Sequence, residues 1–464
     1  MKIAVSLFQF IVVAMTAAIG QANGAAESFN IDLEFRPSEQ QRIELEFEHE
    51  GKIVVRREES DEDGEKYQRL PMKTTAKLGY FQRFSGKGKK SNQAIRFYDQ
   101  ANGRYEIHTG KVGAALGRQN QLVVARVKPG SGKHIQMASI VDTLSQAELE
   151  LLRNPLDPLS IPEFINHEKV KPGSKWKPTD AALANFLAVD RVIRNDIELS
   201  LREIRGGKAR IFVLGKCRAA IDDVTTDVEV SAEIRVAMGT AQKLEKIKMD
   251  IREIRQPGQL APGFDGRTSV SLVATSDNSC KYLTNESLAK LTKGKTIEQR
   301  LKLQLPGLLV KYDPRWRTIA SESEAAIMRF LNNGNLLAQC NIVKLPARPA
   351  NRPLGLKNYR KEVTKIIAAD EIAKIVDEEE FRTKAGSRVL SIEVEGNEEG
   401  VPVTWIYYHV NHTDGRRLTF VFTLESDYAD GFRPHDRKLV EGLAFLTRPV
   451  ASKSARRTAK PVRK

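Results

Sequence analysis

Trp405, Tyr407 and His409 stand at alternate positions, so any strand through them carries an indole, a phenol and an imidazole on one face. Such a face could serve as a ligand-stacking platform. The alternative is packing beneath a second layer, the commoner use of aromatic strand residues and the favoured reading here. A second candidate is basic. Lys246, Lys248 and Arg252 occupy even-numbered positions of one alternating stretch and would share its wet face, where they could meet an anionic partner.

Histidines occur at 49, 108, 134, 167, 409, 412 and 435. A zinc site needs two ligands on one helix face or across paired strands, and then a third. His409 and His412 could supply two, but the sequence names no third, so no metal is assigned. Asp436 is expected to meet free amides at the start of a helix. Gly294-Lys295-Thr296 ends like a phosphate loop, yet Ala289 stands where its first glycine must be, which leaves the backbone nest incomplete. HExxH, GxSxG and GxGxxG patterns are absent. The sequence therefore assigns no catalytic residue and no cofactor.

The elements that must position these groups are mostly strands. Residues 224–238 alternate apolar and polar at period two, as do 197–201 and 247–251, and Gly206-Gly207 supplies a turn into 209–214. One buried and one wet face implies an antiparallel meander, and strands this long must coil into a curved sheet, a sandwich or a partly closed barrel. Residues 270–273 read as its last strand. Upstream, six strand patterns fill 43–127, with the acidic run 58–65 as a solvated hairpin end turned at Asp63-Gly64. Ser145-Gln-Ala-Glu148 has the form of a capping box, and Thr179 that of a helix N-cap.

Beyond a polar stretch at 276–295, strand patterns recur at 336–343, 389–394, 403–410 and 418–424. Helical patterns lie around 359–367 and 371–376. A closing helix is expected with Pro434 in its first turn and Leu439, Val440, Leu443 and Leu446 on one face.

Residues Gly400-Val-Pro-Val-Thr-Trp405, Tyr407-Tyr408, Phe420-Val-Phe422-Thr and Asp436…Leu439-Val440…Leu443 resemble the PsbP-like domain family. The resemblance extends upstream through Trp316-Arg-Thr-Ile319 and 335–340. It implies an α/β/α sandwich and a binding or assembly role without a shared catalytic constellation. The front part resembles uncharacterised exported bacterial proteins, a likeness that supplies no activity. The resulting fold class is α+β: an N-terminal antiparallel sheet or barrel-like region, then a PsbP-like α/β/α sandwich.

Lys and Arg total 74 against 59 Asp and Glu, a formal charge of +15. Six basic residues and no acid lie in 451–464, which reads as a disordered tail able to contact a membrane surface. The apolar run 3–19, followed by Ala22-Asn-Gly24, reads as a secretory signal, so a secreted or periplasmic location is expected. Cys217, Cys280 and Cys340 are too few for a disulfide scaffold, and without CxxC spacing a structural zinc is not expected. Asn285-Glu-Ser287 and Asn411-His-Thr413 match the glycosylation acceptor pattern.

The expected organisation is a signal peptide (1–24), a β-rich region (25–140), an irregular connector (141–178), a meander joined to the first region (179–275), a linker (276–295), the PsbP-like domain (296–447) and the tail (448–464). Taken together these features point to an exported, non-catalytic binding or assembly protein. Its partner would be another protein or an anionic envelope component, and export argues against nucleic acid. A carrier holding an apolar ligand or lipid on the concave side of the sheet, and a hydrolase with dispersed site residues, remain as alternatives.

Overall fold

The computed structural model describes residues 28–33, 36–37, 39–56, 67–85, 93–127, 135–221, 224–258, 262–292, 300–332, 335–350, 352–368, 373–398 and 400–446. The signal-like run, the acidic run 58–65 and the basic tail lie outside them.

Alternation builds the larger sheet. In Val224–Ala237 the side chains of Thr226, Val228, Val230, Ala232, Ile234 and Val236 are buried, and the residues between them face outward. Five of these six inward residues, all but Ala232, are β-branched, which suits a pleated surface with one wet face. Arg191–Arg205, Lys208–Ile221, Lys243–Arg255 and Gly263–Ser276 follow the same rule, each antiparallel to its neighbour. Gly206 and Gly207, at φ 57° and 71°, turn the first hairpin, with Arg205 opposite Lys208. Two positive φ values give the turn whose twist matches that of the strands.

Gly263–Ser276 is not the edge that the sequence suggests. Gln40–Arg56 is its other neighbour, in unbroken register from Gly263 opposite Val54 to Ser276 opposite Gln41. Tyr67–Ser85, Gln93–Ile107, Leu122–Arg126 and Gln136–Ser139 continue the order, and the front stretch and the meander form one 12-stranded sheet. Arg56 and Tyr67, which flank the acidic run, are register partners.

One face of this sheet is filled by the chain itself. Ser145 and Glu148 close the capping box at the head of Gln146–Leu152, and Thr179 Oγ1 accepts from the Ala182 amide to start Asp180–Leu187. Phe164 and Phe186 stack at 3.8 Å, and with Leu149, Leu152 and Leu183 they join a single core that includes Leu199, Ile211 and Val213 of the sheet.

The C-terminal part centres on a seven-stranded antiparallel sheet. Its order is Trp316–Ser321, Ala325–Asn332, Asn335–Leu345, Arg417–Glu425, Val401–Asn411, Arg388–Glu398 and Lys374–Arg382. Helix Leu356–Ile367 places Tyr359 and Val363 against Leu390, Ile392 and Val394 on one face. Helix Ala429–Glu441 lies on the other, where Phe432 meets Trp316, Phe330 and Phe422. A four-stranded sheet ties the two parts, because Leu144–Ser145 of the front pairs with Leu301–Leu305, followed by Leu308–Tyr312 and Leu443–Phe445.

Three expectations need correction. The α+β class with a barrel-like front and an α/β/α sandwich does not hold. Among the described residues 61% are strand and 17% helix, and no sheet closes into a barrel. A helix about 10 Å across covers only about two strands spaced at roughly 4.8 Å, so one helix on each face of seven strands makes no helical layer. The fold is mostly β. Secondly, the helical pattern around 371–376 gives way to strand Lys374–Arg382, because Ile375 and Phe381 meet Val394 and Val389 on the sheet edge offered by Arg388–Glu398. Thirdly, the closing helix starts at Ala429, leaving Pro434 and Asp436 inside it, and Leu443–Phe445 is a strand opposite Leu308–Val310.

Candidate functional site

Lys246, Lys248 and Arg252 all project from the outer face of Lys243–Arg255, because Ile247, Met249 and Ile251 take the inward positions. The face around them is mixed rather than uniformly basic. Arg252 pairs with Asp265 at 2.5 Å, Asp250 accepts from Ser269 Oγ at 2.6 Å, and Glu233 is the register partner of Lys248. Lys246 and Lys248 form no ion pair among the described residues. Lys248 stands in the wall of an open depression of about 740 Å³ with Glu46, Glu48, Lys77, Asp250 and Ser269. Arg252 lines a second one of about 690 Å³, next to Lys73, Asp265 and Arg267. The two hollows lie along the same face, which nothing covers among the described residues, and alternate acids with bases. That arrangement suits a polar partner presenting charges of both signs.

Trp405, Tyr407 and His409 share a face of Val401–Asn411, as their spacing requires, and helix Leu356–Ile367 covers that face. Tyr407 and His409 are buried and Trp405 is half-buried at the margin. His409 Nε2 lies 3.2 Å from Asn411 Oδ1, and its ring is 5.3 Å from that of Tyr359. Burial, with Arg417 nearby, lowers its pKa to about 4. His412 turns away to pair with Asp414 at 2.8 Å. Among the described residues no group of three or more His, Cys, Asp or Glu side chains could hold a metal. The three cysteines are free and buried. Asn411 is only 5% exposed, so its acceptor pattern is closed to modification in the folded chain.

Two buried polar clusters went unseen in the sequence. Asp436, 3% exposed, accepts from the Tyr408 phenol at 2.9 Å, and burial raises its pKa to about 6. Beside it Glu393, raised by burial, is held by Arg433 at 2.7 Å. In the front sheet Arg96 makes a fork to Asp157 at 2.6 and 2.7 Å, with its guanidinium 5.1 Å from the centre of the Tyr80 ring. Arg96 sits between Ala94 and Tyr98 on the inward phase of its strand, and that phase was the available signal.

His49 carries the remaining strongly shifted imidazole, lowered to about 4 by burial and by Arg255. Its Nδ1 is 2.5 Å from Thr268 Oγ1, and its ring stacks on Phe264 at 4.2 Å. Gly51 and Gly266 are register partners beneath that phenyl ring, and a Cβ on either would strike it. The glycines therefore let Phe264 lie flat on the sheet.

No protein-family model matches the chain, and no curated protein matches it. Among solved structures it is similar to the PsbP protein of the cyanobacterium Synechocystis, at 17% identity and a TM-score of 0.26, over 33% of this chain and 95% of that one. A Pseudomonas aeruginosa protein of unknown function aligns at 10% identity and a TM-score of 0.22, over 32% of this chain and 98% of that one. Lipovitellin aligns at 10% identity and a TM-score of 0.28, over 57% of this chain and 30% of that one.

Proposed function

We propose that this chain is an exported, non-catalytic binding or assembly protein that receives a protein partner on the outer face of its larger sheet. The observation that carries the reading is the pair of open, mixed-charge hollows containing Lys248 and Arg252. Interleaved acids and bases favour another folded surface over a uniformly anionic polymer. The opposite face of the sheet, where an apolar cargo would have to lie, carries Leu183, Phe186 and their neighbours. A carrier would have to displace them.

The test is site-specific photo-crosslinking in the source cell with the probe at positions 231, 248 and 269, which face outward, and at 345 as a control remote from that sheet. One discrete adduct is expected at the first three and not at the last. No adduct at any of the three would overturn the reading, and lipid retained by the purified chain in native mass spectrometry would favour a carrier.

A further inference from the structure

Arg252 and Arg267 stand directly opposite each other on the outer face of the larger sheet, as register partners of Lys243–Arg255 and Gly263–Ser276. Like charges so placed on neighbouring strands destabilise the pair. Only one of the two has a counter-charge of its own. Arg252 pairs with Asp265 at 2.5 Å, whereas Arg267 forms no ion pair among the described residues. Glu50 is the register partner of Arg267 on its other side, yet the two are not ion-paired.

Both arginines line the hollow of about 690 Å³, and Lys52 and Arg69 stand in the same wall. Lys73 there is held by Glu48, and Glu106 by Arg104. Lys52 and Arg69 form no ion pair among the described residues. With the internal pairs set aside, three cations, Lys52, Arg69 and Arg267, face one acid, Glu50. The larger hollow is closer to balance. Glu46 pairs with Lys77 at 2.8 Å there, Asp250 accepts from Ser269, and Lys248 is left over.

We propose that the hollow of Arg252 and Arg267 is a carboxylate site, which takes an acidic side chain of the protein partner as the anchor of the interface. A guanidinium offers donors in a fixed fork that matches a carboxylate, and the fork of Arg267 is not engaged by any acid of the sheet. A carboxylate there also screens Arg267 from Arg252 and relieves their repulsion. Glu50 and Asp265 in the same wall repel a second negative charge, which favours a carboxylate over a phosphate dianion. The assignment rests on reading the outer face as a protein-binding surface, and it names the group that the partner must bring.

The experiment is fluorescence anisotropy of a labelled hexaglutamate peptide with the full chain at low salt, joined to the crosslinking described above. The peptide is expected to bind the parent, and R267Q about tenfold more weakly. K311Q, which removes an exposed charge from the four-stranded sheet instead, should bind as the parent does. R267Q should melt no lower than the parent, because the substitution ends the repulsion with Arg252. No binding by the parent would overturn the proposal, as would parental affinity in R267Q. Displacement of the peptide by inorganic phosphate at lower concentration than by succinate, a dicarboxylate of similar charge, would overturn it in favour of a phosphate ligand. In the cell the adduct at position 269 should fall about tenfold in R267Q. An undiminished adduct overturns the anchor and leaves the protein-binding reading in place. Absence of any adduct in the parent overturns that reading and leaves the peptide measurement to decide the carboxylate site.

Discussion

Tyr408 and Asp436 meet across the seam between Val401–Asn411 and Ala429–Glu441, where the phenol donates to Asp436 Oδ2 at 2.9 Å. Burial raises the carboxyl from 3.8 to about 6, so the folded chain binds this proton more tightly than the unfolded chain does. The stabilising effect is full below pH 3.8 and is lost as pH rises through 6. Asp436→Asn should therefore stabilise the protein at pH 7.5 by about 2 kcal/mol and melt with the parent near pH 4. Thermal melts across pH 4–8 decide this. A variant less stable than the parent at pH 7.5 would mean that the ionised carboxylate helps the fold.

His49 and His409 act in the opposite sense over an overlapping range. Both are lowered from 6.5 to about 4, so their contribution is present above pH 6.5 and is lost as pH falls through 4. For His409, which is 1% exposed, the loss is up to about 3 kcal/mol. His409→Gln should flatten the decline in stability between pH 6.5 and 4, whatever it does to stability at pH 7. An unaltered slope in denaturant titrations would count against a buried neutral imidazole.

The fork between Arg96 and Asp157 gives a third expectation. Removing one charge leaves the other buried and unpaired, which costs about 3–5 kcal/mol. Asp157→Asn and Arg96→Met should each show that loss in urea unfolding. The double variant Arg96→Met/Asp157→Leu should recover most of it. If the double variant is as weak as the sum of the single ones, the coupling between the two side chains is zero and each acts independently of the other.

Trp316 is the better target for a core truncation than Trp405. It is 1% exposed, with Phe330, Phe422 and Phe432 at ring distances of 5.1, 5.8 and 5.9 Å. Trp316→Ala should cost about 3–5 kcal/mol, and Trp405→Ala, at the half-buried margin, less. Equal losses in the two variants would show that helix Leu356–Ile367 covers the margin more tightly than the structure places it.

The sequence disclosed whatever depends on neighbours along the chain. Period-two alternation located Val224–Ala237, Ser145 and Glu148 announced their capping box, and Gly206-Gly207 their turn. Outcomes decided by distant partners stayed hidden. Arg96 lies 61 residues from Asp157, and nothing local says that the two meet. Residues 371–376 read as helix until Arg388–Glu398 offers Lys374–Arg382 an edge. The phase of Lys246, Lys248 and Arg252 was legible, but not the acids across neighbouring strands that make their surroundings mixed.

The pairing of Gln40–Arg56 with Gly263–Ser276 bears on how the chain reaches this structure. Gly51 and Gly266 face each other across a gap of roughly two hundred residues. During synthesis, or emergence through a pore from the N-terminus, Gln40–Arg56 must keep one long side unpaired until Gly263–Ser276 appears. Contacts so remote slow folding, and an open strand invites pairing with another chain. Glu44, Glu46, Glu48 and Glu50 alternate along the waiting strand and repel an identical neighbour in register. The glutamates that later face Lys73 and Lys77 in the finished sheet thus guard the nascent chain against self-association.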